Sequence, residues 1–221
     1  MQITQFFLVS AFALSIACFS AGVALADGLE DMCVVFVGAS ITEAWDFNTY
    51  FPGYDFQKVI HYSPDKPEVW DEVVAYNPDI VTFKQCGAYY DEGGDTDLPW
   101  LYDIAEEMVG LIQGIDAIPV PATTLPIDPG YGSCTQAQLD DIIEYNEWIR
   151  NYCSTNGLVC MEYYDQIADD DGQLPYEYHV GDGLHLNEAG YAALSPIVVP
   201  TLDSCIGVEV DSLGSIKALF N

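Results

Sequence analysis

Positive charge is what this chain has least of. Its 221 residues carry 35 Asp and Glu against five basic side chains, Lys58, Lys66, Lys84, Arg150 and Lys217, for a formal net charge of −30. Such a field repels phosphate backbones and anionic lipid surfaces, so nucleic acid is excluded as a partner. Histidine is scarce too, with only His61, His179 and His185. No Cys-x-x-Cys pair occurs and no cysteine clusters with a histidine, so the spacing of a zinc site is missing and neither metal nor cofactor is expected. There is no N-x-Ser/Thr sequon, no internal repeat and no composition break that would mark a second domain.

The first 26 residues lack any charged side chain, and an apolar stretch from Phe6 to Ala17 precedes Ala24-Leu25-Ala26. This reads as a secretory signal over 1–26, cleaved before Asp27, followed by one domain over 27–221. The location expected is secreted or periplasmic. Because Lys and Arg are missing from that start, an uncleaved anchor stays open, since residues 3–26 are long enough to span a bilayer. Assigning Cys18 to the signal leaves Cys33, Cys86, Cys134, Cys153, Cys160 and Cys205. An even number in an exported chain points to disulfides, and spacing does not choose among the pairings.

Apolar, β-rich runs alternate with helical patterns along the rest of the chain. Strands are predicted at Cys33 to Val37, Phe56 to His61, Ile80 to Lys84, Ala117 to Ala122 and Leu158 to Tyr163, their unbroken apolar character fitting burial on both faces. Leu101, Ile104, Ala105, Met108, Val109 and Ile112 recur at helical spacing, as do Leu139, Ile142, Ile143, Asn146, Ile149 and Tyr152. Ser133 to Gln136 offers a capping box for the second helix and Gly157 its stop. A last helix is expected from about Asn187 towards Cys205, interrupted by Pro196 and Pro200. The pattern is α/β, a parallel sheet with helices on both faces.

Two short blocks carry chemistry. Gly38-Ala39-Ser40-Ile41-Thr42 follows the first strand, and Asp182-Gly183-Leu184-His185 lies near the C-terminus. A serine hydroxyl is a weak nucleophile at neutral pH and needs an imidazole to take its proton and a carboxylate to orient that imidazole. Ser40, His185 and Asp182 supply the three groups. Among the aromatics, Trp45, Tyr90 and Trp100 neighbour the blocks and are candidates to stack on a sugar or acyl group, or to be packing. His179 is near Asp182 in sequence, either lining the cleft or solvated, and His61 is given no role.

These blocks resemble the SGNH or GDSL hydrolases over most of the chain after residue 26, the closest likeness being Asp182-Gly183-Leu184-His185-Leu186-Asn187-Glu188-Ala189-Gly190-Tyr191. The resemblance implies a flavodoxin-like three-layer α/β/α sandwich with a five-stranded parallel sheet, with acid and base opening a final helix. It also implies a serine esterase working through an acyl-enzyme on Ser40. Ala39 stands where the family usually has Asp. The family's oxyanion donors, a glycine amide and an asparagine side chain, have no counterpart: His61 to Lys66 holds no glycine, and Ala88 or Tyr89 falls at the asparagine position. Replacement donors are the amides of Ser40, Tyr62 and Ser63 and the side chains of Lys84, Gln85 and Tyr89.

The family's topology further implies disulfides 86–134, 153–160 and 33–205. Substrates in the family are lipids, acylated sugars and short esters, and the acidic charge favours a small neutral or carbohydrate ester, with no stable membrane association once the signal is removed. Two alternatives remain at this level: an acyltransferase using the same triad, and a binding protein that keeps the fold without efficient catalysis.

Overall fold

A computed structural model describes residues 28–90 and 97–206, together with the backbone of two short strands, β5 (Glu209–Val210) and β6 (Ile216–Lys217), which pair antiparallel. The expected signal, the acidic loop beginning at Asp91 and most of the tail lie outside the described residues. The main sheet has four parallel strands, β1 (Cys33–Gly38), β2 (Asp55–Ile60), β3 (Ile80–Phe83) and β4 (Ile118–Pro121), in the order β2-β1-β3-β4. The central strands are buried on both faces, so their side chains divide by parity. Val34 and Phe36 enter one core with Ile80, while Val35 and Val37 enter the other with Val81 and Phe83.

Helices cover both faces, as the alternating pattern requires. On one lie α1 (Ser40–Ala44), α2 (Phe47–Tyr50), α6 (Tyr163–Ile167), α7 (Glu188–Leu194) and α8 (Val198–Cys205), which bury Ile41, Phe47, Tyr163, Leu194 and Leu202. On the other lie α3 (Trp70–Val74), α4 (Leu98–Gln113) and α5 (Gln136–Asn156), with Val73, Met108 and Ile149 inward. The apolar stripe predicted for α4 is its buried face, and that predicted for α5 is buried at Leu139, Ile142, Asn146 and Ile149 and partly buried at Ile143 and Tyr152. The capping box of α5 is formed by Thr135 and Gln138 and not by the earlier pair, while Gly157 does close the helix at φ 66°. That left-handed conformation is one glycine adopts without strain.

The architecture is the expected α/β/α sandwich, with one strand fewer than five. The segment expected to form a fifth strand makes a single parallel bridge, Ala122 to Met161. The Met161 amide bonds Pro121 O at 2.9 Å, and the chain then turns into α6, whose Tyr164 amide is taken by Thr123 Oγ1 at 2.9 Å. The next ladder donor, the Tyr163 amide, turns back to Met161 O at 3.0 Å instead of crossing to Thr123.

None of the expected disulfides 86–134, 153–160 and 33–205 is formed. All six described thiols are free. Cys33 packs on the α5 face and Cys205 on the α8 face, so the sheet separates the expected 33–205 pair. Cys33 Sγ and Cys205 Sγ instead approach the carbonyls of Tyr76 and Thr201. Cys134 Sγ faces Asp182 O at 3.7 Å, and Cys160 is hydrogen-bonded to Cys153, a contact that together with burial drives its thiol pKa far up.

Candidate active site

Ser40 is the first residue of α1, immediately beyond the C-terminal end of β1. Gly38 is indispensable here for a reason of contact rather than turn geometry: a Cβ on it would lie 2.0 Å from Thr42 Oγ1 and 2.6 Å from Thr42 Cβ. Only a residue without a side chain lets α1 fold back this closely over the strand end. Ile41 and Trp45 anchor the short helix in the core, and Trp45 Nε1 donates to Ser195 Oγ at 3.1 Å. The ammonium of Lys58 holds the carbonyls of Glu43 and Trp45 at its C-terminal end.

From the far end of the chain, Asp182 and His185 are brought to the serine. His185 Nε2 stands 3.0 Å from Ser40 Oγ, and its Nδ1 is 2.7 Å from Asp182 Oδ2. The other carboxylate oxygen, Oδ1, accepts from the amides of Leu184 (3.0 Å) and His185 (2.9 Å). Burial works to raise the Asp182 carboxyl, but the Leu184 amide, the imidazole and the His185 amide outweigh it and hold the pKa below the ordinary value. The two residues do not open the final helix. They sit in a loop pinched shut by the antiparallel bridge of His179 with Leu186, and α7 begins afterwards, capped by Asn187.

On the other side of Ser40 lies the segment between β2 and α3, where the family's glycine is missing. The His61 amide continues the β1 pairing by donating to Gly38 O at 2.8 Å. Lys66, fully buried, then donates to His61 O (2.8 Å) and Ser63 O (2.7 Å), with the Tyr89 ring 5.1 Å from its Nζ. Burial, followed by repulsion from Lys84, lowers its pKa to about 7. Gln85 Nε2 donates to Pro64 O at 3.0 Å, and Tyr89 OH to His61 O at 3.3 Å. The Tyr62 hydroxyl bonds Glu43 of α1.

Two of the three side-chain donors expected near the oxyanion are therefore already spent: Gln85 and Tyr89 hold loop carbonyls. Lys84, nearly buried, lines a small cavity with Thr42, Trp45, Thr82 and Tyr163, and burial depresses its pKa. Among the described residues the main-chain amides of Tyr62 and Ser63 form no hydrogen bond, nor does the Lys84 ammonium. Sequence reasoning missed Lys66 altogether, and its only signal was scarcity, one of five cations. Trp45 and Tyr90 are 1 % and 2 % exposed, which assigns them to packing, while Trp100 is exposed. His61 pairs with Glu68 at 3.0 Å.

Among the described residues, no group of three His, Cys, Asp or Glu side chains is placed to hold a metal ion.

Residues 46–193, more than half of the chain, match the model of the GDSL-like Lipase/Acylhydrolase family. The match includes Asp182 and His185 and begins after Ser40. No curated protein matches the chain. Among solved structures, the fold is similar to a GDSL-like lipase from Bacteroides thetaiotaomicron (TM-score 0.67, 19% identity, covering 78% of this chain and 88% of that one). It is also similar to an acetyl xylan esterase, AlAXEase (TM-score 0.59, 18% identity, 78% and 100% covered). A third likeness is a catalytic mutant of an acetylxylan esterase from Geobacillus stearothermophilus (TM-score 0.54, 15% identity, 80% and 95% covered).

Proposed function

We propose, from the premise that the chain belongs to the GDSL-like lipase/acylhydrolase family and is an ester hydrolase, that Ser40, His185 and Asp182 are its catalytic triad. The observation that carries this is the continuous hydrogen-bond chain from Asp182 Oδ2 through the imidazole to Ser40 Oγ. His185 Nε2 takes the serine proton as Oγ attacks the ester carbonyl, and returns it to the leaving alcohol. Water activated by the same imidazole then attacks the acyl-enzyme, releasing the acid and restoring Ser40. Asp182 holds the ring with its proton on Nδ1 and stabilises the imidazolium.

The oxyanion is stabilised by backbone rather than by an asparagine. The Ser40 amide, at the first position of α1, has no intrahelical partner. A second amide comes from Tyr62 or Ser63, in a loop whose carbonyls are turned away and fixed by Lys66, Gln85 and Tyr89. Each such donor is worth about 2.7–4 kcal/mol in the transition state.

The substrate class favoured is a neutral acetylated carbohydrate, met outside the cytoplasm after removal of the signal. The net charge of −30 disfavours anionic esters, and two of the similar folds are acetylxylan esterases. The test is labelling by a serine-reactive fluorophosphonate and acetate release from acetylated xylo-oligosaccharides, wild type against Ser40→Ala. Adduct and acetate that both depend on Ser40 are expected. An adduct that persists in Ser40→Ala overturns the nucleophile, and turnover of simple esters without acetate release overturns only the substrate.

A further inference from the structure

His179 sits six residues before the proposed base and its side chain is fully buried. Its Nδ1 accepts two backbone hydrogen bonds, from Gly181 N at 3.0 Å and from Gly183 N at 3.1 Å. These are the two amides that flank Asp182. Two donors aimed at one ring nitrogen require it to be unprotonated, so the proton resides on Nε2, which faces Asp128 Oδ2 at 3.4 Å, beyond a formed hydrogen bond. Tyr131 and Tyr176 pack their rings against the imidazole at 5.0 and 5.3 Å.

The remaining polar groups around Asp182 are fixed as well. The Asp128 amide donates to Gly183 O at 2.8 Å, and Cys134 Sγ faces Asp182 O at 3.7 Å. Gly181 and Gly183 have φ of 100° and 77°, conformations in which a Cβ is strained, and a Cβ on Gly183 would also lie 2.5 Å from Asp128 O. The Gly181 and Gly183 amides turn inward, and the His179 ring is the acceptor of both. We propose that His179 is a positioning residue, its neutral imidazole clamping the two amides on either side of Asp182 and thereby fixing the carboxylate that orients His185. This rests on the reading of Asp182 as the orienter.

The test compares His179→Asn, whose side-chain oxygen reaches the place of Nδ1, with His179→Gln, whose polar end reaches the place of Nε2, and with His179→Leu, which offers no acceptor. With a p-nitrophenyl ester, Leu and Gln are expected to lower kcat by about 100-fold with KM little changed, the size of effect a misplacement near one ångström produces. Asn should recover most of that loss. In parallel, hydrogen exchange should show the Gly181 and Gly183 amides protected in wild type and Asn, and open in Gln and Leu. Wild-type kcat in the Leu variant, or an Asn variant no better than Gln, overturns the proposal. If esterase activity does not depend on Ser40, the triad reading has failed, and the exchange data alone decide the clamp. Protection unchanged in Gln and Leu then overturns it.

Discussion

Two loops border Ser40, and they are built in opposite ways. The loop carrying Asp182 and His185 is held mostly by itself: Asp182 Oδ1 binds the next amides, His179 Nδ1 binds the two amides flanking Asp182, and residues 179 and 186 pair across its base. The loop from His61 to Asp65 is held by the adjoining Lys66 and, from far along the chain, by Gln85 and Tyr89 beyond β3 and, through Tyr62, by Glu43 of α1. The difference teaches that local hydrogen bonding leaves a readable block in the chain, whereas a loop fixed by distant groups leaves only scattered residues.

The comparison breaks most severely at the triad. Ser40→Ala is expected to lower kcat about 10⁶-fold and Asp182→Asn about 10⁴-fold with a folded protein, measured by steady-state ester turnover. If Asp182→Asn leaves turnover near wild type, the self-held loop is not the catalytic one. Next comes Gly38→Ala, whose Cβ must displace Thr42 and with it α1. A loss near 100-fold in kcat is expected, and the double variant Gly38→Ala with Thr42→Gly should regain much of it.

The externally held loop is tested more gently. Gln85→Ala frees Pro64 O and should reduce kcat by about 10-fold with KM little changed, because the loop keeps its other three tethers. Lys66 sharpens the comparison through pH. Its pKa in the folded chain is lowered to about 7 by burial and then by Lys84, against an unfolded value near 10.4. Below pH 7 both states hold the proton and the burial penalty is complete; between about 7 and 10.4 the unfolded chain binds more protons, so this residue's contribution rises with pH. Denaturant titrations at pH 7 and pH 9.5 should therefore show wild type gaining on Lys66→Met by on the order of 2 kcal/mol. The smallest effect is expected for Tyr62→Phe, which removes an exposed hydroxyl contact with Glu43 and should alter kcat by less than about threefold.

Legibility followed the same division. The strands β1, β3 and β4 and the buried stripes of α4 and α5 are readable because two-sided burial forces continuous apolar runs and helical burial forces a 3.6-residue recurrence, whereas the edge strand β2 is only partly buried. The expected fifth strand reduces to one bridge, since Leu158 to Tyr163 has strand composition but the chain turns into α6 at Tyr163, whose amide bonds back to Met161 O. For Trp45 and Tyr90 the chain leaves ligand platform and packing both open; aromatic composition is the same for a rim and a core, and only the fold, which buries both, separates them.

By itself the sequence determined what depends on neighbours along the chain: the strand and helix faces, the glycine stop of α5, and an aspartate and a histidine three residues apart. Tertiary structure alone decided what depends on side chains far apart in sequence. It set the 3.0 Å between His185 and Ser40, the packing of Tyr131 on His179, and the commitment of Gln85 and Tyr89 to loop carbonyls. The physical reason is that a hydrogen-bond donor has no fixed use until folding removes water and brings one particular acceptor within reach.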